Sequence, residues 1–220
     1  MNGVETENYR EILRLVRPGS RVLDVGCGEG ELLEMLAHEK QVDGRGIEIS
    51  PGGVSACLAR GLAVVQGDAD RDLDYFPAKA FDYVILSQTL QQMQRPRHVL
   101  GELLRIGEQA IVSFPNFAHW RVRLELLAKG RMPETRALPE PWWSTGNIHL
   151  CTLRDFLELC RDLGLRIDAC AALAEGKRAR PIDPARPIEN WRAEAALFLL
   201  SRNGAPLEAE PSTGGADLFD

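Results

Sequence analysis

The sequence lacks the features that mark membrane, secreted and zinc-binding proteins. It has no run of about 18 apolar residues, the length that a transmembrane helix needs. Its polar start, Met1 to Arg10, has no apolar signal-peptide core. The five cysteines are odd in number and none forms a C-x-x-C pair, which favours reduced thiols over disulfides or a zinc site. We therefore expect a cytoplasmic protein with no membrane segment and no metal site.

The chain also has no excess of basic residues and no internal repeat. Its net charge of −6 argues against broad binding to nucleic acid. The apolar fraction of 45% is typical of globular proteins, and 220 residues are enough for one domain with a full core. We expect a single domain over residues 1–202, with a lid or loop region at 131–150, and a disordered tail at 203–220.

Strand and helix patterns alternate along the first half of the chain. Apolar residues recur at helical spacing in Glu29–Glu39 and suggest a helix in Val99–Arg105, and Ser50-Pro51 is a typical helix start. Five segments between the helices have strand character: Arg21–Val25, Gly44–Ile49, Leu62–Gln66, Phe81–Leu86 and Gln109–Phe114. This order predicts an α/β fold with a doubly wound, Rossmann-like parallel sheet. The carboxyl ends of its strands share one edge, where such sheets bind ligands.

The second half of the chain is less regular. Thr152 and Asp155 form a capping-box pattern that predicts a helix. Leu165–Ala172 and Ala195–Ser201 have the character of two final strands. Between them, Lys177–Pro187 carries four basic residues and three prolines, and we interpret it as a solvated connection rather than a binding patch.

The most informative segment is Val22–Gly30, which reads V-L-D-V-G-C-G-E-G. An apolar strand runs here into a turn with three glycines, and glycine lets a ligand lie against the backbone. The helix that follows presents amides and a dipole that favour electron-rich ligand groups. A dinucleotide-binding turn reads G-x-G-x-x-G, but Glu31 occupies the place of the third glycine here. The spacing therefore disfavours a nicotinamide-dependent reductase.

Three acids accompany the glycine turn. Glu48 closes the second strand, where a carboxylate can accept hydrogen bonds from both hydroxyls of a ribose; the alternative is an acid that faces solvent. Asp68 follows the third strand and can accept from an adenine amine while the amide of Ala69 donates to a ring nitrogen; the alternative is an ordinary turn acid. Asp24 lies inside the first strand and needs a partner, either the backbone of the glycine turn or, through water, a ligand ammonium group.

Polar residues also follow the fourth strand. Ser87, Gln88 and Thr89 lie where the floor of a ligand cleft would be. Their side chains could meet the amino-acid end of a ligand. Capping of the next helix is an equally good explanation.

Together these motifs resemble the class I S-adenosylmethionine-dependent methyltransferases. The matching segments are D-V-G-C-G-E-G, the acids Glu48 and Asp68, and F-D-Y-V-I-L-S-Q at the fourth strand. The resemblance implies a seven-stranded sheet with an antiparallel last strand, Ala195–Ser201, and a site for S-adenosylmethionine or S-adenosylhomocysteine. The cofactor-binding residues it implies are Asp24, Gly26, Cys27, Gly28, Gly30, Glu48, Ile49, Asp68, Ala69 and Ser87.

A narrower resemblance, to the methionine biosynthesis protein MetW family, rests on two further segments. They are F-P-N-F-A-H-W at Phe114–Trp120 and W-W-S-T-G-N-I-H-L-C-T at Trp142–Thr152, and the segments I-E-I-S, V-V-Q-G-D-A-D and L-S-Q-T-L-Q-Q match as well. The resemblance implies a role in methionine biosynthesis together with homoserine O-acyltransferase, which this protein would assist or regulate. The alternative is an independent methyltransferase that acts on a small molecule.

No residue stands out as catalytic, since methyl transfer is mainly a matter of positioning. His119 and His149 are the candidate bases, although a structural hydrogen bond at a loop or helix start is the favoured explanation for each. The segment after the fourth strand has S-Q-T-L rather than the N-P-P-Y of enzymes that methylate nucleic-acid amines, so we expect no nucleic-acid substrate. Trp120, Trp142 and Trp143 could cover the cleft, contact a partner or simply pack.

Overall fold

Eight strands form one mixed sheet in the computed structural model, which describes residues 3–135 and 140–203. The strands are β1 (Arg21–Val25), β2 (Asp43–Glu48), β3 (Ala63–Gln66), β4 (Phe81–Ser87), β5 (Gly107–Pro115), β6 (Leu165–Ala174), β7 (Lys177–Pro181) and β8 (Ala195–Arg202). The helices are α1 (Gly3–Leu15), α2 (Glu31–Lys40), α3 (Pro51–Ala59), α4 (Ala69–Asp72), α5 (Pro96–Ile106), α6 (Trp120–Lys129), α7 (Leu153–Asp162) and α8 (Pro187–Arg192).

The strand order is β3-β2-β1-β4-β5-β8-β6-β7. The first five of these run parallel to one another, and β8 runs antiparallel to both β5 and β6. The predicted α/β fold is therefore confirmed, including the antiparallel strand at Ala195–Ser201. The carboxyl ends of the parallel strands lie along one edge, as the sequence pattern predicts.

The predicted number of seven strands is wrong, because Lys177–Pro181 adds an eighth. It pairs antiparallel with β6, from Ala174 opposite Lys177 to Ala171 opposite Pro181. Only Ala179 of β7 packs against the core, and the strand is otherwise exposed and basic. Charged residues and proline are typical of an edge strand, which must not pair with a further chain. The interpretation of Lys177–Pro187 as a plain connection therefore fails for its first five residues.

Helices cover both faces of the sheet, because successive side chains along each strand point to opposite faces and both faces are apolar. Leu23 on β1 points to a cluster that includes residues of α5 and α7, whereas Val22 points to a cluster that includes residues of α1 and α2. Phe114, Phe156 and Phe198 form the centre of the first cluster, with ring centroids 4.6 to 5.7 Å apart. The sheet is thus doubly wound, as expected.

The capping predicted for the starts of two helices is present in the structure. The hydroxyl of Ser50 accepts from the amide of Gly53 at 3.4 Å, and Pro51 lies in the first turn of α3. Thr152 and Asp155 form a complete capping box, since the Thr152 hydroxyl accepts from the Asp155 amide while the Asp155 carboxylate accepts from the Thr152 amide. These local signals fix where α3 and α7 begin.

The lid region predicted at 131–150 contains no helix and no strand of more than one residue in its described parts, 131–135 and 140–150. Trp142 and Trp143 are 69% and 70% exposed. The amides of Ile148 and His149 both donate to the carbonyl of Gln91, which holds the end of this region against the segment after β4. The predicted disordered tail lies outside the described residues except for residue 203.

No helix in residues 3–135 and 140–203 combines the length and apolar character needed to cross a membrane.

Candidate functional site

The glycine turn lies at the carboxyl end of β1 and is tied to β2. Gly26, Gly28 and Gly30 all have positive φ, at 73°, 56° and 83°. The amides of Gly26 and Cys27 donate to the carbonyl of Ile47 at 2.8 and 3.3 Å. A Cβ on Gly30 would lie 2.4 Å from Cδ1 of Leu62, so this position requires glycine both for its backbone and for its neighbours.

Glu48 connects the glycine turn to the start of α3. One carboxylate oxygen accepts from the amide of Gly28 and the other from the amide of Ser50, each at 2.8 Å. The residue is only 8% exposed, so the alternative of a strand-end acid that faces solvent does not hold. Each carboxylate oxygen offers two acceptor sites, and the backbone uses one of them. The next residue, Ile49, is 63% exposed and presents an apolar surface beside this carboxylate.

Asp24 is the most perturbed acid of the site. It is 2% exposed, and its Oδ1 atom has no hydrogen-bond partner within the described residues. Burial raises the pKa of its carboxyl to about 7, and the negative charge of Glu48 contributes to the same direction. A buried acceptor without a partner is costly. The arrangement therefore favours a ligand that brings a donor or a positive charge to Asp24.

A second buried acceptor comes from α1, at a position that no sequence motif marks. Asn8 is fully buried; its amide nitrogen donates to the hydroxyl of Ser87 at 2.7 Å, while its Oδ1 atom has no partner within the described part of the chain. Tyr9 lies nearby, and burial together with the charges of Glu5 and Asp24 raises the pKa of its phenol. The one sequence signal that could have identified Asn8 is the presence of an asparagine on the apolar face of an amphipathic helix.

Asp68 and Ala69 lie after β3, at the next position along the edge. The carboxylate of Asp68 accepts from the amide of Asp70 at 2.9 Å and caps α4. Asp70 instead accepts from the amides of Gln94 and Arg95, both at 2.8 Å, and so holds the segment before α5. The structure thus assigns different roles to Asp68 and Asp70, which the sequence alone could not distinguish. Asp70 is engaged in the scaffold, whereas Asp68 has a side chain that is 34% exposed and a second oxygen that forms an ion pair with Arg71 at 3.7 Å.

The residues after β4 have mainly structural contacts. Gln88 adopts a positive φ of 55°, and its amide donates to the carbonyl and hydroxyl oxygens of Ser113 at 3.0 and 3.1 Å. The Thr89 hydroxyl donates to the carbonyl of Ser87 at 2.7 Å and caps no helix. Of this segment, Ser87 is the residue that contacts the buried acceptor Asn8.

Cys27 is buried beneath the turn, 3.9 Å from the sulfur of Cys57. Burial raises the pKa of both thiols, so they are protonated at neutral pH. Within residues 3–135 and 140–203, no three His, Cys, Asp or Glu side chains converge as metal ligands would.

The two candidate bases lie in different places. His119 is 6% exposed and lines a cavity of about 380 Å³, and burial lowers the pKa of its imidazole. His149 is exposed and lines a separate cavity of about 280 Å³ with Gln91 and Cys151. The structure therefore brings together Asp24, Glu48, the glycines and Ser87, but it does not bring the histidines to each other.

Comparison with solved structures identifies the fold. A methyltransferase from Thermotoga maritima, described as S-adenosylmethionine-dependent and a possible histamine N-methyltransferase, has a TM-score of 0.66 at 16% identity, covering 90% of this chain and 89% of that one. An S-adenosylmethionine-dependent methyltransferase from Mesorhizobium loti has a TM-score of 0.64 at 21% identity, covering 91% and 100%. The fold is that of the class I methyltransferases.

Sequence comparison identifies the family. The family model for methionine biosynthesis protein MetW matches residues 6–200. The bifunctional methionine biosynthesis protein MetXA/MetW of Rhodopirellula baltica is 35% identical over 203 residues, which cover 87% of this chain but 32% of the relative. The chain thus spans about a third of that relative's length. On both grounds the chain belongs to the MetW family of methionine biosynthesis proteins and is methyltransferase-like in fold.

Proposed function

We propose that this protein binds S-adenosylmethionine, or S-adenosylhomocysteine, at the glycine turn and acts with homoserine O-acyltransferase, which it assists or regulates. The observation that carries the first part is the unpartnered Oδ1 of Asp24, buried beside a turn whose glycines leave room for a ligand. Both ligands carry an α-ammonium group, which would supply the missing donor and a compensating charge.

Each part of the ligand has a matching surface. Glu48 has acceptor sites left for the ribose hydroxyls, and the exposed Ile49 offers an apolar face to the adenine ring. Asp68 and the amide of Ala69 would meet the polar edge of adenine. Asp24, with Ser87 and the buried Asn8, would bind the amino-acid end. The remaining members of the set, Gly26, Cys27, Gly28 and Gly30, supply backbone against which the ligand would lie.

The proposed partner follows from the family. The name of the Rhodopirellula relative joins MetXA and MetW in one bifunctional protein, which supports a physical association of the two activities. In separate chains such an association needs an exposed contact surface. Trp142 and Trp143 are 69% and 70% exposed, and Leu127 on α6 is 85% exposed. Exposed aromatic residues are typical of interfaces, so we assign these three side chains to the acyltransferase contact.

Binding of S-adenosylmethionine would give the complex a way to sense pathway output. This compound is made from methionine, downstream of homoserine acylation. A protein that binds it and contacts the acyltransferase could couple the two sites by changing the acyltransferase rate. Such coupling needs no methyl transfer.

The test is a pull-down of homoserine O-acyltransferase with the purified protein, with and without S-adenosylmethionine, followed by measurement of the acyltransferase rate. We expect a complex, a rate that depends on this chain, and a change when S-adenosylmethionine is added. The double variant Trp142→Ala/Trp143→Ala should lose the complex but still bind S-adenosylmethionine in equilibrium dialysis. No complex and an unchanged rate would refute the partnership, and an unchanged rate on addition of S-adenosylmethionine would refute the regulation.

Independent methyl transfer to a small molecule is the second candidate. The observation that favours it is the methyltransferase fold, in which the buried His119 follows the end of β5 by four residues. It predicts incorporation of a labelled methyl group into a small molecule of a cell extract. Absence of transfer by a preparation that binds S-adenosylmethionine would exclude it for the compounds of that extract.

A further inference from the structure

The cavity beside His119 is distinct from the glycine turn. It has a volume of about 380 Å³ and is lined by the carboxyl end of β6, by β7, by the segment before β8 and by the first residues of α6. The glycine turn lies between β1 and β2, on the other side of β4 and β5 in the sheet. The two sites therefore share one edge of the sheet without sharing residues.

The lining of this cavity is strongly basic in a protein whose net charge is −6. Four of its cations, Arg121, Lys177, Arg178 and Arg192, form no ion pair with any residue in the described ranges. A fifth, Arg180, is neutralised by Glu189, whose carboxylate accepts two hydrogen bonds from it at 3.1 and 2.6 Å. The cavity walls include one carboxylate against these charges, that of Glu194. Such an excess favours an anion.

His119 supplies a polar group with no protein partner. The residue is 6% exposed and lines the cavity, and no hydrogen bond among the described residues involves its ring nitrogens. It is also the N-cap residue of α6, which begins without a side-chain cap. No side chain therefore takes up the first amides of this ten-residue helix, whose first residues, Trp120 and Arg121, line the cavity and whose dipole favours negative charge there.

Aromatic side chains form the apolar part of the wall. The indole rings of Trp120 and Trp191 lie 6.0 Å apart, tilted by 32°, and Trp191 is 47% exposed. The guanidinium of Arg121 lies 5.3 Å above the Trp120 ring, which places a positive charge beside this apolar surface. A ligand that fits has a flat apolar body next to an anionic group.

We propose that this cavity binds a small aromatic anion, in which a phosphate or carboxylate group faces the four unpaired cations and the ring packs on the tryptophans. The volume of about 380 Å³ suits a molecule of this size, and the negative net charge of the protein disfavours a nucleic-acid chain. The inference does not depend on S-adenosylmethionine or on the acyltransferase, since none of the residues that carry it belongs to the glycine-turn site.

The test is isothermal titration calorimetry of the full chain with phenyl phosphate and benzoate, and with inorganic phosphate and benzyl alcohol as the two halves of the ligand. We expect at least one aromatic anion to bind more tightly than either half. The variant Arg178→Gln/Arg192→Gln should weaken binding by about tenfold or more, because it removes two charge-assisted contacts. The matched control Arg154→Gln/Arg161→Gln removes two exposed arginines of α7 that are not on the cavity wall, and it should bind like the wild type.

Equal weakening by the control variant would show a general charge effect and overturn the proposal. So would a double variant that binds like the wild type, or a wild type that binds neither aromatic anion. Folding of each variant is checked by its thermal denaturation midpoint. Binding of S-adenosylmethionine, measured in parallel, reports on the glycine turn, so failure at one site is distinguishable from failure at the other.

Discussion

Replacement of Asp24 by asparagine should stabilise the ligand-free protein at pH 8 more than at pH 6. In the folded protein, burial and the charge of Glu48 raise the pKa of Asp24 from 3.8 to about 7. The folded state therefore keeps a proton between pH 4 and 7 that the unfolded chain has lost. Stability must fall as the pH rises through this window and level off above pH 7, because both states are then ionised. Asparagine carries no such charge.

The magnitude follows from the pKa values. A pKa displaced from 3.8 to about 7 corresponds to about 4 kcal/mol of destabilisation above pH 7, at ~1.4 kcal/mol for each pH unit. Between pH 6 and pH 8 the group should account for about 1.4 kcal/mol of this loss. The advantage of Asp24→Asn over the wild type should grow by that amount over the same interval.

Urea unfolding at pH 6 and pH 8 measures the difference in stability between the variant and the wild type. Both pH values lie above the isoelectric point of about 5.4, so the protein carries a net negative charge at each. A stability difference between variant and wild type that is the same at both pH values would refute the reasoning, because Asp24 would then titrate normally. S-adenosylmethionine adds a second test. If its ammonium group compensates the charge of Asp24, saturating ligand should remove the pH dependence of the wild-type stability. The ligand should also bind the Asp24→Asn variant at least tenfold more weakly than it binds the wild type.

Three further substitutions test the scaffold, each by urea unfolding at pH 8. Gly30→Ala should lower the free energy of unfolding by about 1–3 kcal/mol more than Gly61→Ala does, because both positions have positive φ but only the first places a Cβ 2.4 Å from Leu62. Equal losses in the two variants would show that backbone strain alone matters. Thr152→Ala removes the capping box of α7 and should cost about 1 kcal/mol, and no loss would mean that packing alone fixes this helix end. Phe156→Ala should cost about 3–5 kcal/mol, since its ring lies 4.6 and 4.7 Å from two buried phenylalanine rings; a loss below about 1 kcal/mol would contradict the packing described.

The parts of the fold with strong local signals could be predicted from the sequence. Apolar residues dominate β1, β4 and the centre of β5, strand and helix patterns alternate along this half of the chain, and α3 and α7 carry explicit capping residues. By contrast, β7 has one inward-facing apolar residue, Ala179, and its basic composition is that of a loop. Its strand conformation comes from pairing with β6, a tertiary effect that no local pattern records.

The residues of the candidate site also divide into those that local sequence signals predict and those that only the tertiary structure reveals. Glycine spacing and strand-end position were enough to select Asp24, Glu48 and the turn between them. Asn8 was missed, since its burial depends on how α1 packs against the end of β4, almost 80 residues away. The distinction between Asp68 and Asp70 also needed the structure, because it rests on two amides, of Gln94 and Arg95, that approach from another segment.

The position of β8 has a consequence for the order in which this protein can fold. This strand is the last of the described elements, yet it lies inside the sheet, where Ser201 pairs with Gln109 on one side and Arg166 on the other. Until it is synthesised, β5 and β6 both present open hydrogen-bonding edges to the cell. Contacts of such long sequence separation slow folding, and open edges invite pairing with other chains. We therefore expect the newly made chain to pass through an aggregation-prone stage until β8 enters the gap between β5 and β6.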